Sequence, residues 1–311
     1  MFEQEQTEAA RSADTDETVI RFVDIHKRYG SVQVLQGLDL DVKAGEVFGF
    51  LGKNGAGKST AIRILMGISA ADSGQIELFG QSVKKNRNAL RQRVGYVAQE
   101  QNFYPWMTPE TLGKFVRGFY PNWNKALFDS LADTLELPLH RRIGTFSGGM
   151  KAKLGLSVAL GVQPELLVLD EPTAGMDPVA RREFLDLVRE QSSQSGATIF
   201  FSTHLIDEIE SVADRIAIVD HGQSVYAGSL SALSKSIGAW SIAASEFDNE
   251  GLPGEFALSA RRVLQDAVRR NRRELILQFE AEVPAVVQLD PGWKREELSL
   301  EDIFVAVVSK R

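Results

Sequence analysis

The chain has 311 residues, of which 43% are hydrophobic and 25% charged, with a formal net charge of −7 and no cysteine. These values are typical of a soluble globular protein with one large domain and a smaller one, or with two domains. They exclude a fibrous chain, disulfide bonds, thiolate metal sites and a cysteine nucleophile, and they argue against a protein that coats nucleic acid by non-specific attraction to phosphate.

The N-terminal segment, residues 1–18, is acidic and polar. Such a composition predicts a disordered tail and not a signal or transit peptide, so we expect order to begin at Val19 in a cytoplasmic protein. No apolar run reaches the roughly 18–20 residues that span a bilayer. A membrane role would therefore depend on a partner.

Several apolar segments predict strands of two kinds. VIRFVDI and LQGLDLDVKAGEVFGFLG alternate apolar and polar residues before a continuous apolar run, Val47–Leu51. This pattern predicts antiparallel strands followed by a buried central strand. Leu166–Asp170 and Ala197–Thr203 are further short apolar runs, and helical patterns follow them at 179–191 and 205–213. Alternation of buried strands and helices predicts an α/β fold with a mainly parallel sheet.

A glycine-rich loop, Gly52–Thr60, reads GKNGAGKST and matches G-x-x-x-x-G-K-S/T between a buried strand and a helical pattern. Backbone N–H groups and the helix N-terminus would wrap phosphates, Lys58 would reach the β and γ phosphates, and the Ser59 hydroxyl would bind Mg²⁺. An accidental glycine turn is the alternative, which the strand and helix on either side disfavour. The predicted nucleotide-binding residues of the loop are Asn54, Gly55, Ala56, Gly57, Lys58, Ser59 and Thr60.

A second glycine turn, Ser147-Gly148-Gly149, has the same anion-binding chemistry far along the chain. One nucleotide site does not need both turns. A head-to-tail dimer accounts for them, because the second turn of one chain would then cap the γ phosphate held by the first loop of the other.

The pair Asp170-Glu171 ends the apolar run LLVLD. The carboxyl ends of parallel strands face the ligand crevice, so we expect Asp170 to bind the metal and Glu171 to act as general base towards water. An acidic pair on a solvated turn is the alternative, and the preceding apolar residues disfavour it.

The pattern changes at about Gly228, where short alternating runs begin: WSIAAS, ELILQFE and AVVQLD. The chain ends in a helical pattern opened by Ser299, with Asp302 in the capping-box position. We predict a small α+β accessory domain at 231–311 after a main domain at 19–230. Within it, the arginine-rich stretch Ser259–Glu274 is interpreted as a solvated charged face, with polymer binding as the alternative.

With these motifs in this order, residues 19–230 resemble the ATP-binding subunits of ABC transporters. The resemblance implies a P-loop ATPase with a mainly parallel core sheet, an antiparallel β subdomain and a helical subdomain, which uses ATP and Mg²⁺. It also implies that Tyr29 stacks on adenine, that Gln99 senses Mg²⁺ and contacts a transmembrane partner, and that His204 contacts the γ phosphate of its own chain. Each of these three residues alone carries little signal.

Across the dimer, the resemblance implies that Ser147 and Gly149 contact the other chain's nucleotide and that the turn Ala174–Asp177 lies at the interface. The usual signature, Leu-Ser-Gly-Gly-Gln, is altered here by Phe146 and Met150. The phosphate-contacting core is kept, whereas Met150 replaces the glutamine that normally makes a polar contact. Asp177 is kept in a turn that more often reads Ser-Ala-Leu-Asp.

The late helix SLEDIFVAVV, the signature SGGMKAKL and the segment GFYPNWN resemble subunits of the type-two bacterial exporters. This implies a homodimer or a pair with a sister subunit, bound peripherally to a separately encoded permease at the cytoplasmic face of the inner membrane. The aromatic segment Phe103–Met107 is our hypothesis for the surface that receives the permease, with packing within the helical subdomain as the alternative. A soluble ABC-type ATPase that remodels a ribosome or nucleic-acid complex is the alternative, and a simple P-loop kinase would not explain FSGGM, Gln99 or His204.

Overall fold

The computed structural model describes residues 17–243, 260–269, 271–280, 282–283 and 293–308. The chain divides into two compact units, residues 1–227 and 228–311. Most of the predicted N-terminal tail and the run AVVQLD lie outside the described residues, and the predicted domain boundaries stay a prediction. No helix in the described part of the chain is long and apolar enough to cross a membrane.

In the described residues, ten strands begin in the first unit, and they form two sheets. In chain order they are β1 (Thr18–Tyr29), β2 (Val32–Lys43), β3 (Val47–Gly52), β4 (Ser73–Leu78), β5 (Gln81–Ser82), β6 (Val94–Val97), β7 (Leu166–Asp170), β8 (Thr198–Thr203), β9 (Arg215–Asp220) and β10 (Gln223–Ser229). The helices of this unit are α1 (Lys58–Leu65), α2 (Arg87–Arg91), α3 (Pro109–Val116), α4 (Lys125–Thr134), α5 (Gly148–Gly161), α6 (Pro178–Ser195) and α7 (Ile206–Val212).

The smaller sheet has the order β2-β1-β4-β5, and its neighbouring strands are antiparallel. Its inward residues are large and apolar, with Phe22, Ile25, Leu35 and Leu38 all almost fully buried. The alternation of VIRFVDI and LQGLDLDVK produces this single buried face, so the prediction of antiparallel strands is confirmed.

The core sheet has the order β10-β9-β3-β8-β7-β6. Strands β9, β3, β8, β7 and β6 are parallel to their neighbours in this series. Every residue of β3, β7 and β8 is buried, as their unbroken apolar runs predict for a sheet covered on both faces. The ring of Phe200 on β8 lies 5.9 Å from that of Phe48 and 5.3 Å from that of Phe50. The parallel core of the predicted α/β fold is thus confirmed.

Helices α3, α4 and α5 form the helical part of this unit. Their N-termini are capped by the side chains of Thr108, Asn124 and Ser147 respectively. Gly161 at the end of α5 permits close packing, because a Cβ there would lie 2.9 Å from the ring of Trp123. The helix that carries the second glycine turn is therefore capped at its start and closely packed at its end.

The second unit holds strands β11 (Ile237–Ala243), β12 (Arg262–Arg269), β13 (Arg272–Gln278) and β14 (Lys294–Glu296), in the antiparallel order β12-β13-β11-β14, with helices α8 (Leu230–Ser236) and α9 (Leu300–Val308). Trp240, Leu275, Leu277 and Phe279 form its core.

Two polar features of this unit bear on the predictions. Ser299 and Asp302 make the predicted reciprocal cap of α9, since each backbone N–H donates to the other side chain at 3.1 Å. The arginine-rich stretch is not wholly solvated, because Arg273 is buried and bonds the carboxylate of Asp266 at 2.7 Å.

Candidate functional site

The phosphate loop turns between β3 and α1 in a conformation that requires glycine. Gly55 and Gly57 have φ values of +84° and +106°, in the region that other residues rarely adopt. A Cβ on Gly57 would lie 2.7 Å from Leu35 Cδ2 and 3.0 Å from the Val34 carbonyl oxygen. The loop tip at Lys53–Gly55 is exposed to solvent. Close packing thus favours glycine behind the loop, while the tip remains open to a ligand.

Lys58 is the buried cation of the loop. It is 4% exposed, and its Nζ donates to the Gly52 carbonyl at 2.7 Å and to the Lys53 carbonyl at 3.3 Å. The same Nζ lies 3.1 Å from Glu171 Oε1. The charge is therefore held between the loop and the acidic pair that ends β7.

Asp170 lies at the carboxyl end of β7, opposite Ser202 in the register with β8. Its Oδ1 accepts hydrogen bonds from Ser202 Oγ at 2.8 Å and from Ser59 Oγ at 3.0 Å. Burial raises the pKa of Asp170, while these two hydroxyl bonds oppose the rise. The structure thus brings together the two predicted metal ligands, Ser59 and Asp170.

Three other predicted site residues, Lys58, Gln99 and His204, contact the carboxylate of Glu171. Its Oε2 lies 3.2 Å from His204 Nδ1 and accepts a bond from Gln99 Nε2 at 3.4 Å, while Oε1 faces Lys58. The backbone has φ +45°, a left-handed conformation that is uncommon outside glycine. The Glu171 N–H donates to Ser202 Oγ and Ser202 O, both at 3.1 Å, and these bonds hold the strained turn.

The second glycine turn forms the start of α5, apart from this cluster. Ser147 is the N-cap, and its Oγ accepts from the Met150 N–H at 3.2 Å. Ser147 and Gly148 are exposed, and among the described residues no hydrogen bond or ion pair joins the turn to the phosphate loop. Phe146 and Met150, which replace the usual outer residues of the signature, both contact Arg141. Its Cζ lies 5.1 Å from the ring centroid of buried Phe146, and its Nη2 lies 3.2 Å from Met150 Sδ.

Two further predicted residues also lie outside the Glu171 cluster. Asp177 caps α6 by accepting the N–H groups of Val179 and Ala180, both at 3.0 Å, and these bonds, that of Ala180 above all, lower its pKa. Tyr29 is 48% exposed, with Lys27 Nζ 5.2 Å from its ring centroid. Its exposed ring is free to stack, but no contact links it to the phosphate loop in the part of the chain described.

The donor set fits magnesium. The described residues contain no group of three or more His, Cys, Asp or Glu side chains able to hold a metal by themselves. Ser59 and Asp170 supply hard oxygen atoms at one point, and Mg²⁺ is commonly held by one or two carboxylates together with phosphate oxygens. The residues are those expected for a metal bound together with a nucleotide.

Two residues of the site, Ser202 and Glu208, were not predicted from the sequence. Ser202 bonds both Asp170 and the Glu171 N–H, and Glu208 binds the hydroxyls of Thr173 and Thr203. Ser202 lies two residues before His204 at a strand end, a position that could have indicated its role. Glu208 stands among other acidic residues of a short helix and carries no such signal.

A glycine-rich loop between a buried strand and a helix, with a carboxylate pair facing its lysine, defines a P-loop nucleotide-binding ATPase. Residues 35–174 match the family model for ABC transporters. The bacitracin transport ATP-binding protein BcrA of Bacillus licheniformis is 37% identical over 66% of this chain and 68% of that one. The Nod factor export ATP-binding protein I of Burkholderia orbicola is 40% identical over 70% of this chain and 73% of that one.

A solved structure of an ATP-binding subunit of an ABC transporter superimposes with a TM-score of 0.64 at 28% identity, over 70% of this chain and 92% of that one. The chain belongs to the ABC transporter family, among its ATP-binding subunits, and it is an ATPase. The predicted family, fold class and nucleotide are confirmed.

Proposed function

We propose that this chain powers a bacterial exporter. Two copies, or one copy and a sister subunit, close head to tail on ATP and drive a separately encoded permease from the cytoplasmic face of the inner membrane. The observation that carries this proposal is the convergence of Lys58, Gln99 and His204 on Glu171, beside an Asp170–Ser59 pair. A nucleic-acid role is not expected at a net charge of −7.

Within one protomer, the phosphate loop and Lys58 bind the β and γ phosphates, and Tyr29 stacks on adenine. Ser59, Asp170 and Gln99 would hold Mg²⁺, which would neutralise charge on the β and γ phosphates. Asp170 must be ionised to bind the metal. Because burial raises the pKa of Asp170, we expect acid to weaken metal binding at a higher pH than for an ordinary aspartate.

Glu171 is the general base. Three polar side chains contact its carboxylate, so its oxygens are held in fixed directions. It accepts a proton from water as the water oxygen bonds the γ phosphorus and the bond to the β-phosphate oxygen breaks, releasing ADP and phosphate. His204 orients this carboxylate through Nδ1 and contacts the γ phosphate.

The glycines of the second turn support its role across a dimer. Gly148 has an ordinary φ, and a Cβ there would meet no atom within 4 Å; at Gly149 the nearest atom would be Met176 Cγ at 3.9 Å. Folding of the protomer therefore does not require glycine at either position. Close approach of an anion from another molecule does, so Ser147, Gly148 and Gly149 cap the nucleotide of the second protomer, beside Asp177.

An aromatic patch of Tyr104, Trp106, Phe115 and Phe119 supports a protein partner. These side chains are 48%, 67%, 44% and 59% exposed. The ring centroid of Tyr104 lies 5.0 Å from that of Trp106 and 6.1 Å from that of Phe115, which in turn lies 5.1 Å from that of Phe119. Packing within the helical region would bury them. Exposed aromatic residues in a cluster are typical of interfaces, and we assign this one to the permease.

The patch is tested by Trp106→Ala, with Val268→Ala as a control at a similarly exposed apolar residue. We expect the Trp106 variant to lose co-purification with membranes while its ATPase activity stays normal. Unchanged membrane association would remove the assignment of the patch.

The dimer is tested with Glu171→Gln protein by size-exclusion chromatography and light scattering. We expect a dimer with ATP and Mg²⁺, a monomer with ADP, and a monomer under both conditions when Ser147→Arg is added. A Glu171→Gln protein that stays monomeric with ATP, or a Ser147→Arg double variant that still dimerises, would contradict the head-to-tail arrangement.

A further inference from the structure

Glu208 on α7 is a buried carboxylate with no part in the steps above. It is 1% exposed. Its Oε2 accepts a hydrogen bond from Thr203 Oγ1 at 2.5 Å, and its Oε1 accepts one from the Thr173 hydroxyl. Burying a carboxylate is costly unless the charge is paired and its oxygens are satisfied. The positions of the residues that contact Glu208 suggest a role for this buried carboxylate.

Its two hydroxyl partners adjoin the catalytic residues. Thr173 follows Glu171 by two residues and begins the next turn, where its carbonyl accepts the Met176 N–H at 3.0 Å. Thr203 immediately precedes His204, and its Oγ1 also accepts the Leu205 N–H at 3.0 Å. One carboxylate therefore connects the segment after Glu171 with the segment that carries His204.

The cationic partner adjoins the predicted dimer interface. Arg181 lies in the first turn of α6, and its N–H donates to the Asp177 carbonyl at 3.0 Å. Its Nε lies 3.5 Å from Glu208 Oε1, and it is a buried side-chain nitrogen without a hydrogen-bond partner among the described residues. A shift of about half an ångström would complete this bond. An unsatisfied buried donor so close to a carboxylate marks an interaction that a small movement of α6 would strengthen.

We propose that Glu208 is a positioning residue that couples the Asp177 turn to Glu171 and His204. Contact with a second protomer shifts the start of α6, Arg181 closes on Glu208, and the carboxylate holds Thr173 and Thr203 in the arrangement needed for hydrolysis. This inference rests on the proposed head-to-tail dimer. It makes turnover depend on Glu208, whose carboxylate contacts Thr173, Thr203 and Arg181 in the described part of the chain.

The first test compares Glu208→Gln with Glu210→Gln, which alters an exposed carboxylate on the same helix. Glutamine keeps the shape of the side chain and loses the charge that attracts Arg181. We expect Glu208→Gln to lower kcat by about 10- to 100-fold, the range that misplacement of catalytic groups produces. KM for ATP and the thermal midpoint should stay near those of wild type, and Glu210→Gln should leave all three values unchanged.

A second pair of variants tests the same contact without changing Glu208, in case the Glu208→Gln protein does not fold. Thr173→Val removes the hydroxyl that bonds Glu208, and Thr173→Ser keeps it. We expect the valine variant to have a lower kcat than wild type and the serine variant to have a kcat near that of wild type. Combined with Glu208→Gln, Thr173→Val should add little further loss, because residues that act through one contact are not additive.

The outcomes separate this inference from the proposed function. If Glu171→Gln protein dimerises with ATP while Glu208→Gln turns over normally, the dimer stands and the coupling is wrong. Equal losses in kcat, ATP binding and thermal midpoint would assign Glu208 a structural role and also overturn the coupling. Failure of Glu171→Gln protein to dimerise would instead contradict the proposed function itself.

Discussion

At the scale of single residues, Glu171 is the proposed general base. Replacing it with Gln keeps a polar side chain against Gln99 and His204 but removes the proton acceptor. Loss of a general base costs on the order of 10² to 10⁴ in rate. We expect Glu171→Gln to bind ATP normally and to turn over slower by that factor, measured as phosphate release. Near-normal turnover would refute the assignment of the base.

Burial of Asp170, a proposed metal ligand, affects the free energy of unfolding. Because its folded-state pKa is raised, its contribution to the free energy of unfolding is fully present below the unfolded pKa of about 3.9. That contribution is lost as pH rises through the folded pKa. Ionised Asp170 therefore destabilises the protein at neutral pH in the absence of metal.

We accordingly expect Asp170→Asn to raise the thermal midpoint at pH 7 without nucleotide or Mg²⁺, by about 2–4 °C for each kcal/mol gained. The advantage should disappear in melts near pH 4, where the wild-type carboxyl becomes protonated. A midpoint at pH 7 equal to or below that of wild type would show that the Ser59 and Ser202 bonds outweigh the cost of burial.

The two glycine turns make different demands on folding. A Cβ on Gly57 would meet Leu35 and the Val34 carbonyl, whereas one on Gly148 would meet nothing within 4 Å. Strain at a positive φ costs on the order of 1–3 kcal/mol. In urea unfolding we expect Gly57→Ala to lose about that much stability and Gly148→Ala to lose almost none. Equal losses would mean that the second turn is also built for folding.

At the scale of elements, β8 links the core to the site. Phe200 is fully buried between Phe48 and Phe50, and the strand ends at the residues that bond Asp170, Glu171 and Glu208. Phe200→Ala should cost about 3–5 kcal/mol of unfolding free energy. Phe119→Ala, at an exposed ring, should cost little. A small loss at Phe200 would show that the sheet repacks, and the site would then not depend on this strand.

Elements with one strong local pattern were predictable from the sequence. The runs LLVLD and ATIFFST predict buried strands because each has a continuous apolar centre, LLVL and IFF, and GKNGAGKST predicts a phosphate turn. Contacts between distant segments were not predictable. The pairing of Lys58 with Glu171 depends on the order of strands in the sheet, and the burial of Glu208 depends on Arg181 and two threonines brought together by folding.

At the scale of the whole molecule, the protomer holds one complete phosphate loop and one exposed glycine turn that faces no phosphate loop of its own in the described residues. Two protomers arranged head to tail would satisfy both. The exposed aromatic patch supports a third component, which is the proposed permease. The central claim is therefore that ATP hydrolysis here drives a membrane partner.

The most direct test uses tagged Glu171→Gln protein, expressed in its native cell and trapped with ATP. The complex is purified from gently solubilised membranes, and mass spectrometry identifies its components. We expect stoichiometric recovery of a polytopic membrane protein, whose cavity would define the transported substrate. Recovery of ribosomes or DNA-bound factors with no membrane protein would contradict this account and indicate a soluble remodelling ATPase.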